Sequence, residues 1–155
     1  MKKLIILAFL LAIPACLLAP VSKQDQLIRY IEQASAMLGV DTDKMLIRAY
    51  NESSFRNIMH KDHHHISYGA LQIQLATARI RHPHITPAQL KNPWTNIYCA
   101  IEHYRDLEYK CHCDYRQTTS MYMTGQKNKK YVFFNNVERP RYEYFKHYWE
   151  RRYKA

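Results

Sequence analysis

Thr42-Asp43-Lys44-Met45-Leu46-Ile47-Arg48-Ala49-Tyr50-Asn51-Glu52-Ser53-Ser54-Phe55 is the stretch on which both the fold and the chemistry turn. Met45, Leu46, Ala49 and Tyr50 recur at helical spacing, which predicts an amphipathic helix beginning near Thr42. That helix reaches Glu52 in its last turn, where a carboxylate is unusual because the C-terminal end of a helix favours cations. An acid at the end of an apolar helix is placed to be partly desolvated. Desolvation raises a carboxyl pKa and prepares the group to give up a proton near neutral pH. Alone, such a glutamate is an ordinary solvated or salt-bridged side chain, so its significance depends on its neighbours.

Working outward, Ser22-Lys23-Gln24-Asp25 resembles a capping box, and Leu27, Ile28, Ile31, Ala34 and Leu38 follow at helical spacing until Gly39. Downstream, residues 57–67 are polar with no helical period and predict a loop or short irregular hairpin. Leu71, Leu75 and Ala78 predict a short third helix ending before Pro83. Thr86-Pro87 and Asn92-Pro93 each set a cap residue before a proline at the first helical position. From Pro93 a helix of about 17 residues is expected to bury Ile97, Ala100, Ile101, Tyr104 and Leu107. Asp114 caps a further helix ending at Gly125, Lys127 to Lys130 reads as a solvated loop, and a last helix runs roughly from Arg139 to Tyr153. Its Tyr142, Tyr144, Phe145, Tyr148 and Trp149 read as core, with stacking on sugar rings as the rival role. The expected fold is mainly α: one helical domain over residues 22–155.

The chain has 155 residues, with 23 Lys and Arg against 13 Asp and Glu, a net charge of +10. Near-average apolar and charged contents exclude a disordered polyelectrolyte, and 3 Gly beside 13 Tyr argue against glycine-rich nucleotide loops. The positive excess favours an anionic partner: nucleic acid, a membrane surface or a cell wall. Lys2 and Lys3 precede an apolar run from Leu4 to Ala19, slightly short for a membrane span, so residues 1–19 read as an export signal. Cleavage near Ala19, lipidation at Cys16 within Ile13-Pro14-Ala15-Cys16, and an uncleaved membrane anchor all stay open. Loss of residues 1–19 leaves 21 basic against 13 acidic residues, a charge of +8, and export disfavours nucleic acid as the partner.

Glu52-Ser53-Ser54-Phe55 is followed by Ser67-Tyr68-Gly69-Ala70-Leu71-Gln72-Ile73, then Asn92-Pro93-Trp94-Thr95-Asn96-Ile97, then Met121-Tyr122-Met123-Thr124-Gly125. In order and spacing these segments resemble the soluble lytic transglycosylases of the lysozyme superfamily, over about Leu27 to Gly125. The resemblance implies a lysozyme-like helical domain with a central substrate cleft. It also implies that Glu52 is the catalytic acid that cleaves the β-1,4 bond between N-acetylmuramic acid and N-acetylglucosamine in peptidoglycan, forming a 1,6-anhydro product. Ser67, Gln72 and Tyr122 match substrate-binding positions, Tyr122 lying near the acid to orient it, and Gly69 would keep the backbone low where glycan passes. Small members of this family accompany secretion, conjugation or pilus machinery, which makes such an apparatus an expected partner.

Departures and rivals stand beside these expectations. Met123 replaces the usual Asn of the family's A-Y-N-A-G segment, so a polar contact there would be lost. Hydrolysis needs a second carboxylate, and Asp62 is the one nearby downstream acid. A non-catalytic wall-binding module is the other alternative. His60, His63, His64 and His65 could ligate a metal, but a surface loop more commonly leaves such a cluster in solvent, and no cofactor or metal is assigned. His84, His103 and His147 read as structural or exposed. A bridge from Cys99 to Cys111 or Cys113 is as reasonable as none, while Cys111-His112-Cys113 lacks the usual spacing of a zinc pair.

Overall fold

A computed structural model describes residues 21–62, 65–126, 140, 143, 144, 146 and 147. Its first helix, α1 (Lys23–Leu38), starts where Ser22 accepts from the Asp25 backbone N–H at 3.0 Å and donates to the Asp25 carboxylate at 2.6 Å. Gly39 ends α1 in the left-handed conformation, and Leu27, Ile28, Ile31, Ala34 and Leu38 form its buried face. Asp41 caps α2 (Thr42–Ser53), which buries Met45, Leu46, Ile47 and Ala49 together with Arg48 and Ser53. The polar segment beyond is a hairpin, β1 (Met59–Asp62) against β2 (His65–Tyr68), with a third strand β3 (Ile73–Gln74) antiparallel to β2.

That third strand corrects the expected helix beginning at Leu71. Gln72 adopts a left-handed φ of 51°, which stops a right-handed helix from starting there, and Ile73 and Gln74 pair with Tyr68 and Ser67 instead. Leu71 is buried in the turn, and only Leu75–Ala78 is helical (α3). Thr86 and Gln89 form a reciprocal capping box on the short α4 (Pro87–Leu90). Asn92 caps α5 (Pro93–Cys111), whose 19 residues extend slightly beyond the expected length. Ile97, Ala100, Ile101 and Tyr104 are buried on α5 as expected, while Leu107 is half-buried. Asp114, with Gln117 bonding back to it, caps α6 (Tyr115–Thr124), and Gly125 closes it.

The described residues are mainly helical around a small three-stranded sheet. The long α5 packs against α1, α3, α4, α6 and β3, so it is the axis of the core. Its straight run also explains why Cys99 carries no disulfide. Cys111 lies twelve residues along the same helix, about 18 Å away, whereas bridged Cα atoms lie within about 7 Å. Cys99 is instead a buried thiol pushed up to about 11 by burial and the nearby Glu102 charge.

No helix among the described residues is long and apolar enough to cross a membrane. Residues 1–19, with Cys16, lie outside the described residues, as do Lys127 to Lys130, His63 and His64. Of the expected last helix, Pro140, Glu143, Tyr144, Lys146 and His147 are described, all helical. Tyr144 is 76% exposed, which corrects its expected place in the core, and Lys146 lies 3.6 Å from the Asp43 carboxylate.

Candidate active site

Two consecutive non-glycine residues in the left-handed region, Ser54 and Phe55, end α2 and turn the chain sharply. The Ser54 N–H donates to Tyr50 O at 2.8 Å, and Phe55 drops into the core, its ring 5.8 Å from that of Tyr50. Such backbone conformations cost free energy and persist where surrounding packing fixes them. Here the fixing group is Ser53. Its buried hydroxyl donates to Ala70 O at 2.8 Å and accepts from the Arg56 backbone N–H at 3.1 Å, tying the helix end to the turn after β2. Glu52, one residue earlier, thereby projects into a groove of about 850 Å³.

The four residues singled out from sequence meet in this groove: Glu52 from α2, Ser67 from β2, Gln72 from the turn after it and Tyr122 from α6 all line it. Arg48, one helical turn before Glu52 and only 2% exposed, sets its Nε 3.3 Å from a carboxylate oxygen of Glu52 and donates from Nη1 to the Met123 sulfur at 2.8 Å. The Glu52 side chain is 21% exposed and lines the groove. Tyr122 donates its hydroxyl proton to Leu71 O at 2.8 Å, and burial, reinforced by the Glu52 charge, holds that proton far above the ordinary tyrosine range. The phenol therefore stays neutral, staples α6 to the Gln72 turn and lies within electrostatic reach of the acid.

Gln72 directs its amide nitrogen to Gly69 O at 2.6 Å and to Ile58 O at 3.2 Å, bracing the base of the hairpin. The structure corrects the reason for Gly69. Its φ is 75°, and a Cβ built there would overlap the buried Asn96 side-chain amide, whose nitrogen donates to Tyr68 O at 2.6 Å. Glycine is required for the close approach of α5 rather than for passage of a ligand.

Asp62 is exposed near the hairpin tip and is not among the groove-lining residues. It lies two residues beyond His60, about 7 Å further along β1. His60 lines the groove, opposite Ser67 in the hairpin register, and His65 is exposed. Among the described residues, no three His, Cys, Asp or Glu side chains are grouped to hold a metal ion.

His103, expected to be structural or exposed, has a part in the groove. It lines the groove from α5, its ring 5.8 Å from that of Tyr122, and burial lowers its pKa against the opposing pull of Asp106. The i, i+4 spacing to Leu107 was its one sequence signal. Arg48 was likewise legible only as the residue four before Glu52, while Ser53 and Asn96 act through contacts distant in sequence. The chain matches no known protein-family model, and no curated protein matches it significantly.

Proposed function

We propose that the protein is a peptidoglycan lytic transglycosylase built on a lysozyme-like helical domain whose groove is the substrate cleft. One observation carries the proposal: Glu52 is the sole carboxylate among the described residues that line the groove. Glycoside hydrolysis ordinarily uses two carboxylates, the second acting as nucleophile or activating water. One carboxylate suffices when the substrate supplies the second reacting group itself. Glu52 gives its proton to the glycosidic oxygen between N-acetylmuramic acid and N-acetylglucosamine. The resulting carboxylate then removes the proton from the muramic acid 6-hydroxyl as that oxygen attacks C1, and a 1,6-anhydro ring closes without water.

Arg48 orients one carboxylate oxygen of Glu52 and stabilises the anion between the two proton transfers. Ser67 and the groove face of Gln72 present polar groups to the sugar, and Tyr122 holds the turn that carries Gln72. The positive charge of the chain suits a polyanionic envelope, and the amino-terminal apolar run suits export to it, with a secretion, conjugation or pilus apparatus as the setting.

The test is product analysis by mass spectrometry after incubation with purified peptidoglycan. Wild type is expected to release anhydro-muropeptides, and Glu52→Gln to lose about 100-fold or more of the rate while melting normally. Reducing-end products that disappear in Asp62→Asn would replace this mechanism with hydrolysis. Absence of any product would leave a wall-binding module.

A further inference from the structure

The charge lining the groove is unbalanced in a way that the chemistry of Glu52 does not use. Glu52 already lies against Arg48, yet a second guanidinium, that of Arg56, and the imidazole of His60 face the same space. Arg56 is unlike the other arginines that lie beside acids. Arg48 meets Glu52, Arg81 grips Asp106 through two bonds of 2.6 Å, and Arg105 approaches Glu102 and Asp106. Arg56 has no carboxylate partner among the described residues. Its Nε donates to Ser53 O at 2.8 Å, and its backbone N–H donates to Ser53 Oγ. The stem of the side chain is thus anchored to the turn after Glu52, while the two terminal nitrogens have no protein acceptor among the described residues.

His60 lines the same wall of the groove. It stands opposite Ser67 on the sheet face that borders the groove, so an imidazole and a hydroxyl line the groove together with the guanidinium. A guanidinium held by its Nε presents paired N–H donors that match a carboxylate, and it gains little from neutral hydroxyls. In a peptide-bearing strand the lactyl carboxyl of N-acetylmuramic acid is held in an amide, so the sugars offer hydroxyls and amides but no carboxylate. The peptide borne by the lactyl group of N-acetylmuramic acid does offer carboxylates.

We infer that Arg56, with His60, forms an anion subsite that binds a carboxylate of this stem peptide, so that the groove selects strands whose stem-peptide carboxylates are free over strands in which they are amidated. The inference rests on the transglycosylase assignment for the identity of the strand, but its own content is the contact at Arg56. Because the wall is exposed, the selectivity is modest, about fivefold in affinity, and weakens with salt.

The test uses the protein carrying Glu52→Gln, so that strands are held without turnover, and fluorescently labelled soluble peptide-bearing strands with their stem-peptide carboxylates either free or converted to amides. Anisotropy titrations are expected to show about fivefold tighter binding of the strands with free carboxylates at low salt. The margin should shrink at high salt, vanish when Arg56→Gln is added and partly survive Arg56→Lys. Melting curves check that both variants fold, as the exposed position allows. Equal affinities for the two strands, a margin unchanged in Arg56→Gln, or no binding of either strand overturns the inference. Failure of the transglycosylase assignment reads out separately, as absence of anhydro product from the wild type on both strands, and the binding margin then still decides the role of Arg56.

Discussion

Replacing Gly69 by Ala tests the packing that holds the Gln72 side of the groove against α5. Two costs follow from the structure. Alanine at a φ of 75° pays the left-handed backbone penalty, about 1 kcal/mol. Its Cβ also cannot coexist with the Asn96 amide, which must move and release its 2.6 Å bond to Tyr68 O, leaving buried polar groups unmatched at a cost of about 2 kcal/mol. The sum, about 3 kcal/mol, corresponds to a fall in Tm of roughly 10 °C for a domain of this size. Urea and thermal unfolding followed by far-ultraviolet circular dichroism give the measurement, and a double-mutant cycle isolates the contact. Asn96→Ala alone destabilises through the same lost bond. In that background Gly69→Ala should cost only the backbone part, so the coupling between the two sites should be about 2 kcal/mol. If Gly69→Ala costs the same with and without the Asn96 side chain, close approach of the amide is not why glycine stands there.

Two further outcomes follow from the titratable groups. Cys99, buried and with its thiol pushed up to about 11, should react with iodoacetamide at neutral pH at least about 100-fold more slowly in the native protein than in the unfolded one. Peptide mapping reads the rate at each cysteine, and rapid native labelling at Cys99 would contradict its burial. Asp106 accepts two bonds from Arg81 and a third from Lys110, and the Arg81 hydrogen bond, above all, holds its carboxyl below the usual carboxylate range. A lowered native pKa contributes stability that is complete above the unfolded value, near about pH 4, and is lost as pH falls through the native one. Asp106→Asn should therefore flatten the acid limb of the stability profile, and an unchanged limb would place the titrating group elsewhere.

What was legible in the sequence shares a physical character: it is local. Ser22 ahead of α1, Thr86 before Pro87 and Asn92 before Pro93 are caps written within four residues, and each side chain accepts a helix N–H; at Ser22 the Asp25 carboxylate accepts from the Ser22 hydroxyl. The face of α1 follows from the helical period alone. Where the reading failed, a distant partner decided the outcome. Leu71 has the right spacing for a helix, but pairing of Ile73 and Gln74 with β2 and the left-handed Gln72 take the chain elsewhere. Gly69 is a glycine because of Asn96, and His103 borders the groove because α5 lies beneath Tyr122. Neither fact is encoded within reach of a sequence window.

The same distinction explains the departure at Met123. Read alone, a methionine in place of a polar residue is a lost contact. In the folded chain its sulfur accepts from the buried Arg48 guanidinium, and Arg48 in turn lies against Glu52. A buried guanidinium is costly unless most of its donors are matched, and a thioether is a weak, polarisable acceptor that adds little competing charge. An anionic residue at Met123 would draw the guanidinium away from Glu52, and a purely aliphatic one would leave Nη1 without this acceptor. Met123 thus accepts from Nη1 of Arg48 without adding a competing charge, while Nε stays 3.3 Å from the Glu52 carboxylate. Two residues that look unrelated at a separation of 75 positions are one device around Glu52.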